Sequence, residues 1–185
     1  MTEPPDRPAG QWTPAGLGVH QAIGGGPPPQ AAKAAPLSAY VRRPHDERLR
    51  AVLDPATEYS RLVVIRGDAL TGTSRTIYEA VTDVLADWVV EHPPAVAALA
   101  ARLEAGIAPR TVLWLGELRH YADADGGAAV LDHLNDLLDD DGRVIAIATI
   151  WPGYWDSYTA AAAAGLGAAG PDGPVIQHLA GPAIC

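Results

Sequence analysis

Three short runs made almost entirely of apolar residues, RLVVIRG (61–67), RTVLWLGEL (110–118) and RVIAIATI (143–150), do most to limit how this chain can fold. A strand with one wet face alternates apolar and polar residues, whereas a continuous apolar run needs cover on both faces. The stretches between these runs have helical periodicity. In SRTIYEAVTDVLADW, Ile77, Tyr78, Val81, Val84 and Leu85 share one face and leave Glu79, Thr82, Asp83 and Asp87 to solvent. AVAALAARLEAG reads as a helix ending near Gly106, and Val130, Leu131, Leu134, Leu137 and Leu138 mark another. DWVVEHPP reads as a further, shorter strand stopped by Pro93 and Pro94. Parallel neighbours need crossover connections, so strands alternating with helices imply a parallel arrangement. The expectation is an α/β domain with an open, mostly parallel sheet and helices on both faces.

The boundaries follow from where large apolar residues are scarce. Residues 1–37, with GGGPPPQ at their centre, are expected to form a disordered Pro/Gly-rich arm, because so little apolar surface cannot offset the entropy of ordering the chain. The folded domain is expected over 38–185. It opens with SAYVRRPHDERLRAVL, where Leu49, Val52 and Leu53 take one face of a short helix after a proline-marked start. The tail from Ser157 reads as a poorly packed helix interrupted by Gly and Pro. A net charge of −9 leaves no basic face for nucleic acid or anionic lipid, so neither is expected as a partner. The N-terminus lacks the apolar core of a signal peptide and no run approaches a membrane span, so the expected location is cytoplasmic. The single cysteine, Cys185, allows no intrachain disulfide and reads as a bystander thiol. Twelve arginines against one lysine, Lys33, suggest a GC-rich coding bias and an actinobacterial source.

The chemistry is concentrated after the first strand. VVIRGDALTGTSRTIYEAV (63–81) falls in register with the phosphate loop G-x-x-x-x-G-K-[ST]: Gly67, Gly72 and Ser74 match, and Thr73 stands in the lysine slot. A glycine-bearing turn after a strand is common, but here a buried strand precedes the loop and an amphipathic helix opens at Ser74. Backbone N–H groups and a helix N-terminus would therefore face an anion held there, and the Ser74 hydroxyl stands where a Mg²⁺ ligand is needed. In TVLWLGEL a buried strand carries Glu117 to its carboxyl end, where open parallel sheets bind ligands. A phosphate-loop NTPase needs carboxylates there to hold the metal or orient water. Gly116 occupies the first acidic position, which leaves Glu117 for the water and no evident carboxylate for the metal. Thr149, at the tip of the next strand, stands where a polar residue would sense a terminal phosphate; the plainer reading is that it ends the strand. Trp151, Trp155 and Tyr158 read as packing residues rather than base-stacking ones. His120, Asp123 and Asp125 lack the spacing of a calcium or zinc site and read as a turn with a helix-capping aspartate.

In order and spacing, YVRRPHDERL (40–49), VVIRGDALTGTSRT, WVVEHP, RTVLWLGELRHY and ATIWPGYWD together resemble the nucleotide-binding domain of actinobacterial STAND-type P-loop ATPases, over about Tyr40 to Trp155. The resemblance implies ATP with Mg²⁺ as ligand, Gly67 and Gly72 in the phosphate cradle, Ser74 on Mg²⁺ and Arg75 just inside the helix. It also implies Glu117 near the water and Thr149 at the sensor. Thr73 departs from the pattern, since threonine has neither the charge nor the reach of the family's lysine, and Arg66 and Arg75 are the nearby cations that could compensate. Related proteins continue through a further strand and a helical lid; this chain stops sooner, consistent with a fragment, a truncated copy or a minimal relative. Two functions are expected to compete. One is an ATP-binding regulatory switch with weak or no hydrolysis that acts on a protein partner; the other is a pseudo-NTPase interaction module that binds no nucleotide.

Overall fold

A computed structural model describes residues 7–20, 38–56, 59–139 and 142–163. Five strands form one sheet: β1 (Arg7–Pro8), β2 (Arg61–Arg66), β3 (Val89–Glu91), β4 (Thr111–Glu117) and β5 (Val144–Ile150). Their spatial order is β1-β3-β4-β5-β2. The pairs β3–β4, β4–β5 and β5–β2 are parallel, and β1 is antiparallel to β3. The helices are α1 (Pro44–Val52), α2 (Thr73–Val84), α3 (Val96–Ala105), α4 (Arg119–Ala122), α5 (Gly127–Asp139) and α6 (Pro152–Ala163).

The apolar runs are strands for the reason their composition suggests. Successive side chains of β2 go to opposite faces, Val63 and Ile65 into one core and Leu62 and Val64 into the other. The first core is closed by Leu49 of α1 and Leu53 just after it, and by α2 through Ile77, Ala80 and Val81. The second is closed by α3, α4 and α5 through Leu99, Tyr121, Leu131 and Leu134, with Tyr154, Trp155 and Tyr158 of α6 packed against it. The sheet is thus an open, mostly parallel one with helices on both faces.

The N-terminal arm departs from its expected disorder over residues 7–20. Arg7 and Pro8 pair with Val90 and Val89 at the sheet edge, and the Ala9 and Gly10 N–H groups donate to the Trp88 and Ala86 carbonyls at 2.8 and 3.0 Å. Two short 3₁₀ turns then carry Trp12, Leu17 and Val19 into the first core. The low apolar density of the arm conceals the fact that a few large side chains are enough when a sheet edge and α2 supply the other half of the core. Residues 1–6 and 21–37 lie outside the described residues, as does the tail beyond Ala163. The start of that tail is α6.

Candidate functional site

The loop after β2 leads to α2 on the first face, whereas β5, paired with β2, is followed by α6 on the second. Connections that leave neighbouring parallel strands toward opposite faces open a crevice at the strands' carboxyl ends, the place where open α/β sheets bind ligands. A cavity of about 430 Å³ occupies that crevice. Ile65, Arg66, Gly67 and Asp68 form its floor, Thr71, Thr73 and Thr76 one wall, and Arg43, His45 and Leu49 of the α1 region another; Pro152 and Asp156 of α6 close it.

The loop between β2 and α2 is tightly folded. Gly67 donates its N–H to the Ile150 carbonyl at 3.1 Å, tying the loop to the end of β5. A β-carbon at Gly67 would collide with the Thr73 methyl and meet the Thr71 hydroxyl at 2.9 Å, so only glycine lets the loop close here. The Asp68 carbonyl accepts from the Thr71 hydroxyl at 2.7 Å and from its N–H at 3.3 Å. Leu70 stands at the tip with a φ of 65°. Gly72 turns into α2 with a φ of 84°, and its carbonyl accepts the first helical bond, from Thr76 N–H at 2.9 Å. No side chain caps α2. Its leading N–H groups therefore face outward without intrahelical acceptors, and the positive end of the helix dipole is open to an anion.

The other predicted residues divide between this crevice and two neighbouring depressions. Gly67 and Thr73 line the crevice, and Thr73 also lines a second cavity of about 600 Å³ across the loop, together with Gly72, Ser74 and Arg75. Arg75 is turned from the loop: it donates to Glu79 at 2.6 Å and to the Ser38 carbonyl at 3.2 Å, and its guanidinium lies 5.5 Å from the Tyr40 ring centroid. Arg66 lines the crevice with its guanidinium 5.7 Å from the Trp155 ring centroid. Glu117 is held apart, in a shallow depression with Arg119, His120 and Asp123. Burial pushes its carboxyl above the usual range, against the pull of the Arg119 N–H and the His120 and Arg119 charges. Its Oε1 is buried without a hydrogen-bond partner among the described residues. Thr149 pairs in register with both Ile65 and Glu117, and its hydroxyl donates to the Gly116 carbonyl at 3.1 Å.

Two features were not foreseen from the sequence. The β4–β5 ladder slips between Trp114 and Gly116, and Gly116 adopts a φ of 69°. Glycine stands at position 116 because a left-handed backbone at a bulge calls for it. Asp123 is the second. It pairs with Arg119 at 2.7 Å and accepts from the Tyr158 hydroxyl, joining α4 to α6. Among the described residues no cluster of His, Cys, Asp and Glu could hold a metal ion by itself. No helix among them is long and apolar enough to cross a membrane.

The residues that sequence reasoning missed lie in the lead-in to α1. Pro44 stands at the first helical position, and buried Asp46 accepts from the Arg43 N–H at 2.9 Å and from the Tyr40 hydroxyl at 2.9 Å. Tyr40 also contacts the Thr76 hydroxyl at 2.9 Å. This chain of bonds fixes Arg43 beside the loop, where its Nη1 donates to the Thr71 carbonyl at 2.6 Å. The sequence signals were the proline and acidic residue of a helix start and the YVRRPHDERL lead-in of the resemblance, neither of which assigned Arg43 a role. No protein-family model, curated protein or solved structure matches the chain.

Proposed function

We propose that this domain binds the phosphates of a nucleotide, ATP with Mg²⁺, in the crevice between β2 and β5, with weak or no hydrolysis, and acts as a regulatory switch of the P-loop, STAND-like type. The observation that carries the reading is the uncapped N-terminus of α2, opening through a glycine-bearing loop onto a cavity at the carboxyl ends of two parallel strands. Free N–H groups at such a terminus suit phosphate oxygens without further machinery. Gly67, Gly72 and Thr73 would form the cradle, with the Ser74 hydroxyl as the Mg²⁺ ligand carried with the nucleotide and Arg75 behind it.

Poor turnover is supported by three details. Thr73 supplies no charge to stabilise a transferring phosphoryl group, a loss that commonly costs about two to four orders of magnitude in rate. Glu117 lies in a depression of its own, and the Thr149 hydroxyl is already bonded to Gly116. The switch reading is supported by the loop tip: Leu70 is 91% exposed and Val41, lining the same second cavity, is 76% exposed. A ligand that orders the loop would alter the apolar surface shown to a protein partner. The same exposed pair favours the alternative, an interaction module that binds no nucleotide.

Calorimetric titration of Mg-ATP into the natural chain and a Thr73→Lys variant separates the two. An added ammonium at the phosphates is worth about 1.5 kcal/mol or more, hence roughly tenfold in affinity. Binding by the natural chain that tightens with lysine is the expected result; no binding by either folded protein leaves the interaction module.

A further inference from the structure

The arginines around the loop are mostly committed. Arg42 contacts Glu47 and Asp83, Arg50 pairs with Asp83 at 2.9 Å, and Arg75 pairs with Glu79 at 2.6 Å. Arg43 is different. Among the described residues no carboxylate lies within ion-pairing distance of it, and its only side-chain hydrogen bond is to the neutral carbonyl of Thr71. A guanidinium has five N–H donors, and Arg43 is exposed, so those not bonded to Thr71 face solvent, where an anion could replace water.

Its placement is equally specific. Arg43 lines both the crevice and the second cavity, as do only Thr71 and Thr73. A β-carbon on Gly72 would lie 3.6 Å from its Nη2, so the guanidinium passes directly over the turn into α2. The position is held from behind by Asp46 and Tyr40 and from in front by the loop carbonyl. An arginine fixed in this way and left without an acidic partner faces the same space as the uncapped helix terminus. Both have positive potential, and an anion between them would satisfy both.

We infer that Arg43, reaching over from the start of α1, supplies the phosphate-binding cation that Thr73 does not. The inference rests on the nucleotide reading above and adds the residue, and the element, from which the charge comes. The ligand portion it recognises is the di- or triphosphate, by charge-assisted hydrogen bonds from a planar fork. The position it occupies also couples the ligand to the lead-in segment, because a phosphate held by Arg43 pins residues 40–46 to the loop.

The test titrates Mg-ATP and, separately, pyrophosphate into the full chain, Arg43→Gln, Thr73→Lys and the double variant, after confirming that each melts cooperatively. Arg43→Gln is expected to weaken both ligands by about ten- to a hundredfold, the range for hydrogen bonds to a charged group. Thr73→Lys is expected to restore much of that loss, and to give a larger gain in the Arg43→Gln background than in the natural one, because the two cations serve the same oxygens. A merely structural Arg43 would not be replaced in this way, since lysine at position 73 cannot renew the bond to the Thr71 carbonyl. Arg43→Lys, keeping charge without the fork, is expected to fall between. Unchanged affinity in Arg43→Gln, or a loss for ATP without one for pyrophosphate, would overturn the inference and leave the nucleotide reading standing. Absence of binding to the natural chain by either ligand would overturn both.

Discussion

Gly116 and Glu117 are adjacent in the chain, yet opposite constraints govern them. Gly116 is chosen by the backbone: its φ of 69° sits at the slip of the β4–β5 ladder. Placing an acidic residue there with Gly116→Asp forces a side chain into the left-handed region, and the expected cost is about 1 to 3 kcal/mol in urea denaturation. No loss of stability would show that the bulge relaxes freely. Glu117 is only partly satisfied: the Arg119 N–H acts on its carboxyl, but Oε1 is buried without a hydrogen-bond partner among the described residues. Its folded carboxyl is pushed above the ordinary 4.5, chiefly by burial, so the stability tied to its protonated form is complete below that value and is lost as pH rises through the folded one. Glu117→Gln is therefore expected to raise the denaturation midpoint at pH 7 and to flatten the stability profile above pH ~4.5. A variant less stable than the parent at pH 7 would mean that the carboxylate makes a favourable contact. Neither property was legible in the residue letters: the bulge depends on the register between two strands, and the burial depends on α4 folding back beside it.

At the scale of elements, the apolar runs and helical stripes were readable because each is a local record of which faces are covered. Val63 and Ile65 against Leu62 and Val64 become two cores simply by alternation. Strand β1 was not readable, since two residues leave no periodicity and their pairing belongs to the edge of β3. The N-terminal segment is nonetheless part of the first core, and the Tyr78 hydroxyl donates to the Trp12 carbonyl at 3.1 Å. Trp12→Ala is expected to destabilise the domain by about 3 to 5 kcal/mol, the range for truncating a buried tryptophan. Hydrogen exchange provides the companion measurement, with the Ala9 and Gly10 amides expected to be protected in the native chain and exposed in the variant. Free exchange at both sites in the native chain would return residues 7–20 to the disordered arm.

At the scale of the whole molecule, alternating strands and helices announced a mostly parallel sheet, but not which strands lie side by side. The order β1-β3-β4-β5-β2 emerges only on folding, and it is this order that puts the ends of β2 and β5 together and makes a crevice of them. The loop residues Gly67, Gly72 and Thr73 were legible because their spacing is local. The role of Arg43 was not, because it depends on α1 packing against α2 across 28 residues of sequence from the Thr71 carbonyl it meets. The central proposal is that the loop between β2 and α2, with the crevice beside it, takes a nucleotide. Amide hydrogen exchange with and without Mg-ATP tests it most directly. The account predicts slowed exchange concentrated in the loop and first turn of α2, from Gly67 to Thr76, and in the lead-in around Arg43, with little change around Glu117. Unchanged exchange throughout at saturating Mg-ATP, or protection confined to the depression at Glu117 and Arg119, would contradict it.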